Sequence, residues 1–209
     1  MSGGRKLLAG PRWRVAATAA ALLLSAPQPA QAHLVTTGLG PFYDGAAHLA
    51  RSPGDLALVV ALTLLAAMRG AKFGRALLAL LPVAWLAGGE AGVFFPSAAS
   101  LEWAVALCFL FVGGLVAADR NLSLRAVAGL CAGIGAFQGY LTGSAFANAS
   151  AGNLELLGSV AALLVVVTLV AGFVVSLKVF WARIAVRVLG SWIAATGLLM
   201  LGWTLRGAR

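Results

Sequence analysis

Six apolar runs joined by short loops constrain this chain more than any other feature, because that much hydrocarbon cannot be hidden from water. The runs read as helices around 53–68, 77–95, 101–118, 126–146, 154–177 and 188–205. The later five approach the roughly 20 residues that cross a bilayer core of about 30 Å. The first has a strictly apolar part of only about thirteen residues, a length that alone suggests a re-entrant or buried helix. It is kept as a span. Its start is marked by Ser52 as N-cap, Pro53 at N1 and Asp55 at N3, the acid of a capping box. Of 209 residues, 61% are hydrophobic and 10% charged, where a soluble domain carries about 25% charged residues. That balance excludes a soluble enzyme, a nucleic-acid-binding domain and a disordered tail. The expected fold is all-α: a polytopic helical membrane protein whose six transmembrane helices occupy residues 53–209, after a cleaved signal peptide.

The N-terminal end carries that signal. Arg5, Lys6, Arg12 and Arg14 precede an apolar stretch at 15–24, about ten residues and too short to span. Ser25-Ala26-Pro27-Gln28-Pro29 breaks any helix, and Ala30-Gln31-Ala32 is an A-x-A cleavage signal. Together these make residues 1–32 a secretory signal peptide of bacterial type, with an uncleaved anchor helix as the alternative. Cleavage would leave His33 as the mature N-terminus and residues 33–52 as an outer, periplasmic segment.

The net charge of +9 looks like a nucleic-acid signal, but the placement of the charge speaks against it. Arg69, Lys72 and Arg75 follow the first span, Arg120 and Arg125 the third, and Lys178, Arg183 and Arg187 the fifth. The alternate loops contain no Lys or Arg. The positive-inside rule therefore puts the basic loops in the cytoplasm and His33 outside, in a bacterial inner membrane, with lipid and not nucleic acid as the partner. Arg206 and Arg209 would fall outside, so the side of the C-terminus is left open. Asp119 is expected to pair with its neighbour Arg120. Gly135, Gly139 and Gly143 recur every four residues and bare one face of the fourth span, either for close helix packing or for a narrow path lined by backbone. Cys108 and Cys131 lie in separate spans and read as buried thiols, not as a metal pair.

Ionisable groups within a membrane are costly, so their depth carries information. Asp44, Asp55, Glu90, Glu102, Glu155 and both histidines collect at or near the outer side, opposite most of the cations. A cation arriving from outside would meet an attractive field there. Glu90 sits among apolar neighbours inside the second span and calls for a hydrogen-bonding role, a cationic partner or a transported ion. Glu102 and Glu155 also fit as acids that complement helix starts. An N-terminal His33 would offer its amine and imidazole to one metal, with Asp44, His48 and Asp55 as further ligands. Nitrogen and carboxylate donors of this kind suit nickel, cobalt, copper or zinc. No Walker loop, dinucleotide-binding glycine pattern, zinc-protease helix or nucleophile–base pair occurs within the spans, so no enzyme is expected.

The arrangement resembles the HupE/UreJ family. The stretch Gly40-Pro41-Phe42-Tyr43-Asp44-Gly45-Ala46-Ala47-His48, followed by Ser52-Pro53-Gly54-Asp55-Leu56, stands where the family has an H-P-x-x-G-x-D-H signature. Ala99-Ser100-Leu101-Glu102 is similar to the family's opening of the third span. Gly190-Ser191-Trp192-Ile193-Ala194-Ala195-Thr196-Gly197-Leu198 is similar to its last helix. The resemblance implies a membrane protein associated with hydrogenase or urease systems, a nickel or cobalt permease. The chain departs from the pattern at the ligands. The signature's final histidine is Leu56, and the H-G-x-x-H-G of the fourth span reads Gln138-Gly139-Tyr140-Leu141-Thr142-Gly143.

The reading that follows is a permease for a divalent transition-metal cation. His33, Asp44, His48 and Asp55 would form the outer capture site, and Glu90, Glu102 and Gln138 would line the path. The alternative is a non-transporting accessory protein that binds a metal or a periplasmic partner during metalloenzyme assembly. A homo-oligomer is compatible with either.

Overall fold

The computed structural model describes residues 37–97, 101–149, 151–176 and 180–207. The expected signal peptide and His33 lie outside the described residues. Those that are described form seven α-helices and no strand: α1 Pro41–Arg51, α2 Pro53–Ala67, α3 Ala71–Phe94, α4 Glu102–Ala118, α5 Leu124–Asn148, α6 Asn153–Ser176 and α7 Phe180–Gly207. Four are long and apolar enough to cross a membrane: α3, α5, α6 and, within α7, Trp181–Arg206. The 17 residues of α4 make a shorter apolar helix. A fifth candidate span arises only if α1 and α2 count together, as a span broken by a 75° bend or as a re-entrant loop.

The bend comes from Ser52-Pro53. Proline has no N–H and disfavours helical geometry in the residue before it, and Ser52 accordingly sits at φ −95°, ψ 84°. Its N–H still bonds the His48 carbonyl at 2.9 Å, which ends α1, while Pro53 opens α2. The capping box expected here does not form. The Ser52 side chain makes no cap bond, and its backbone N–H is taken by α1. The outer segment, read from sequence as polar chain without a long apolar run, is helical over Pro41–Arg51. Its Gly45 and Leu49 are buried, and a methyl at Gly45 would strike the Glu155 carbonyl of α6.

The shortness of α2 has a packing reason. Leu58, Val59, Ala61, Leu62 and Leu65 are almost completely buried, and α2 touches α3, α4, α5, α6 and α7. It is the axis of the bundle. Around it, α3 pairs extensively with α5, and α4 with α7. The α3–α5 pair runs parallel, with Gly135 against Leu81, Gly139 against the Trp85 carbonyl and Gly143 against the Gly89 carbonyl. The glycine face of α5 is therefore a packing face. On α7, Gly190 meets Ala117 and Gly197 meets Ala106 and Leu110, in the antiparallel sense.

The basic segments gather at one end. Asp119 ends α4 in the left-handed conformation (φ 48°), which Asp tolerates better than most residues. Its carboxylate takes the Nε–H of Arg183 at 2.7 Å, so its partner is Arg183 and not Arg120. Arg69 donates to the carbonyls of Leu65 and Arg120. Burial lowers the pKa of the Arg69 guanidinium, and the Asp119 carboxylate counteracts part of that. Arg183 and Arg187, expected in a loop, lie in the first turns of α7. Arginine is a good helix former, and the Asp119 partner holds the first of them.

Candidate functional site

At the bend between α1 and α2, four polar side chains form a connected line. His48, on the last turn of α1, has Nε2 3.4 Å from the Ser52 hydroxyl. The Ser52 side chain also lies within reach of the Asp55 carboxylate. The Asp55 carboxylate then accepts the Gln138 amide from α5 at 2.9 Å. The spacing explains the first two links: positions four apart share a helix face, and Ser52 and Asp55 stand at N-cap and N3 of α2. The last link joins residues 83 positions apart and exists only because the glycine face draws α5 onto α3, beside α2.

Gln138 is 2% exposed. Its amide hydrogen is used on Asp55, but its Oε1 is buried with no partner among the described residues. An unsatisfied acceptor at that depth costs about 1–3 kcal/mol unless a donor or a cation fills it. Three further buried side-chain polar atoms lack partners among the described residues: Trp85 Nε1 on α3, Ser159 Oγ on α6 and, at the basic end, Arg69 Nε. Trp85 lies level with Gly139, one residue beyond Gln138. His48 is held by an edge-to-face contact with Phe146, with ring centroids 5.0 Å apart. Imidazole nitrogen, hydroxyl, carboxylate and amide oxygens together make a mixed donor set suited to a divalent cation of intermediate hardness.

The other expected site residues are elsewhere. Asp44 is occupied by the Thr37 N–H at the start of α1. Glu102 is exposed at the start of α4. Glu90 shares a face of α3 with the exposed Val83 and Phe94, turned away from the α5 contact, and makes no hydrogen bond or ion pair among the described residues. Glu155 accepts the Gly152 N–H at 2.8 Å, as an acid at a helix start does. No group of three His, Cys, Asp or Glu side chains among the described residues is close enough to hold a metal ion. The reason is visible in the contacts: Asp44 turns to Thr37, His48 to Ser52 and Phe146, Asp55 to Gln138. Thr142, where the resemblance expects a second histidine, donates its hydroxyl to the Gln138 carbonyl at 3.0 Å. The bridging role of Ser52 was readable from its spacing to His48 and Asp55 but was assigned to a cap. The contact of Phe146 with His48 left no sequence signal.

The family described as HupE / UreJ protein matches this chain over residues 20–200. The chain belongs to the HupE / UreJ family. Members are associated with nickel or cobalt uptake or with an accessory function, and are transport or accessory proteins. Neither curated proteins nor solved structures yielded a match. In this HupE / UreJ chain the line His48–Ser52–Asp55–Gln138 joins the place of the signature to the place of the fourth-span histidines. Apolar helices and family together mark a multi-pass membrane protein.

Proposed function

We propose that this HupE / UreJ protein is a membrane permease for a divalent transition-metal cation of the nickel or cobalt class. The ion enters from the outer side of a bacterial inner membrane, with the mature N-terminus periplasmic. The observation that supports this most is the Gln138 side chain, tied to Asp55 yet leaving a buried, unpartnered oxygen beside the carboxylate. An ion binding there gains an acid and an amide oxygen, with Ser52 and His48 next in line. His33 and Asp44 would contribute to capture at the outer surface, and Glu90 and Glu102 to the approach. The gathering of basic segments at the opposite end supports the orientation.

One observation favours the accessory reading. With Gln138 and Thr142 in the histidine positions, no three His, Cys, Asp or Glu side chains come together among the described residues. A protein that holds metal weakly can still hand it to, or receive it from, a periplasmic partner. Uptake of radiolabelled nickel and cobalt into liposomes carrying only the purified protein separates the two. Accumulation above empty liposomes, reduced by Asp55→Asn, supports the permease. Metal binding without accumulation rejects it in favour of the accessory role.

A further inference from the structure

At the basic end, α6 and α7 do not close against each other. Between them lies a groove of about 400 Å³ lined by Leu64, Leu169, Phe173, Trp181, Ala185, Leu189 and other apolar side chains. Trp181, Leu169 and Phe173 are among the more exposed large side chains of the molecule. The groove does not end in apolar surface. Leu64 and Val186 line it on one side and, on the other, line a small polar cleft formed with Arg69, Asp119, Arg183 and Arg187. Three guanidinium groups face one carboxylate in that cleft, leaving an excess of positive charge. Arg183 uses its Nε on Asp119, and Arg187 uses its Nε on the Ala117 carbonyl at 3.0 Å. The terminal amino groups of both stay without a partner among the described residues. The Arg69 Nε is buried there and is also unpartnered.

We propose that this groove and cleft together bind one anionic phospholipid, its phosphate on Arg183 and Arg187 and an acyl chain between α6 and α7. An apolar channel open along the side of a membrane helix takes hydrocarbon. A cationic cleft at its headgroup end selects the charge of the lipid that supplies it. Trp181 stands at that same end of α7, the level at which aromatic side chains favour the headgroup boundary. Lipid bound here would tie α7 to α6 and α2 at the end where α7 has little other contact with either. This reading is independent of what the protein transports.

The test uses the purified full chain in detergent micelles containing equal amounts of phosphatidylglycerol and phosphatidylcholine, with retained lipid read by native mass spectrometry. Phosphatidylglycerol should be retained in preference. Arg187→Gln keeps a donor for the Ala117 carbonyl but removes the charge, and should lower that preference about fivefold, the effect of one arginine near a lipid surface. Ala185→Trp fills the groove without touching an arginine and should reduce retention of phosphatidylglycerol while the protein stays folded. If Ala185→Trp does not fold, Leu189→Trp makes the same test one turn further along the α7 wall. Excess inorganic phosphate should not displace the lipid. Equal retention of both lipids overturns the proposal, as does retention unaffected by either tryptophan. Displacement by phosphate alone would make the cleft a free-anion site, and a lipid-free dimer broken by Ala185→Trp would make the groove a contact between copies. Either result also rejects the proposal.

Discussion

At Asp55, stability and ion handling can be separated by choice of substitution. Asp55→Leu leaves the buried Gln138 amide without its acceptor, which should cost about 1–3 kcal/mol and lower Tm in detergent. Asp55→Asn keeps an oxygen for Gln138, so Tm should stay near wild type while metal uptake falls by about a decade or more. If both variants lose stability and uptake in step, Asp55 is structural only. His48→Phe is the matching change on α1: it keeps a ring against Phe146 and removes the nitrogen facing Ser52. The expected outcome is an unchanged Tm with weaker half-saturation for the metal. Gln138→His restores one family histidine beside Asp55, and isothermal titration should show tighter nickel binding than in the parent protein. Ser52→Ala is no simple cap control, because Ser52 makes no cap bond and touches both His48 and Asp55.

The glycines of α5 look alike along the sequence and differ in their surroundings. A methyl at Gly139 or Gly143 would overlap a carbonyl of α3, whereas Gly129 and Gly133 have open space at that position. Gly139→Ala should therefore force α3 and α5 apart at a cost of about 1–3 kcal/mol, as overpacking does. Gly133→Ala should be neutral or stabilise by about 0.5–1 kcal/mol, because alanine loses less backbone entropy in a helix. Thermal unfolding of the two variants side by side checks the contrast. Equal behaviour would mean that the α3–α5 approach is not close in solution. Separation of the helices would also pull Gln138 from Asp55, so Gly139→Ala should lower uptake although it lies outside the polar line.

For the whole molecule, the test is which side each end faces. A single cysteine at Lys72, in the first turn of α3 and exposed, should resist an impermeant thiol reagent applied outside; one at Ala149, exposed after α5, should react. The background must lack Cys108 and Cys131. The reverse pattern overturns the orientation, the outer capture site and the headgroup level assigned to the lipid. Whether α1 and α2 cross or re-enter bears on the same question, and labelling at Arg69 beside Lys72 would read the far end of α2. Both positions should be protected from outside.

What sequence by itself determined here is the solvent and the helices. Apolar runs with so little charge have no stable form outside lipid, and backbone polar groups in lipid must close into helices. Loop prolines, glycines and arginines then marked most boundaries to within a few residues. The positions of α4, α5 and α6 depart from the expected spans only at their ends. What only the tertiary structure decided is which polar groups meet. The bond of Gln138 to Asp55, the choice of Arg183 over Arg120 by Asp119 and the burial of α1 on α6 all depend on helix pairing. Apolar periodicity inside a membrane carries little information about pairing, since every face is hydrophobic and lipid competes equally for each. The pairing was set instead by small-residue contacts, Gly139 against Trp85 and Gly45 against Glu155. Such contacts act through the absence of a side chain, and a sequence shows where a glycine is but not which backbone will come to fill the space.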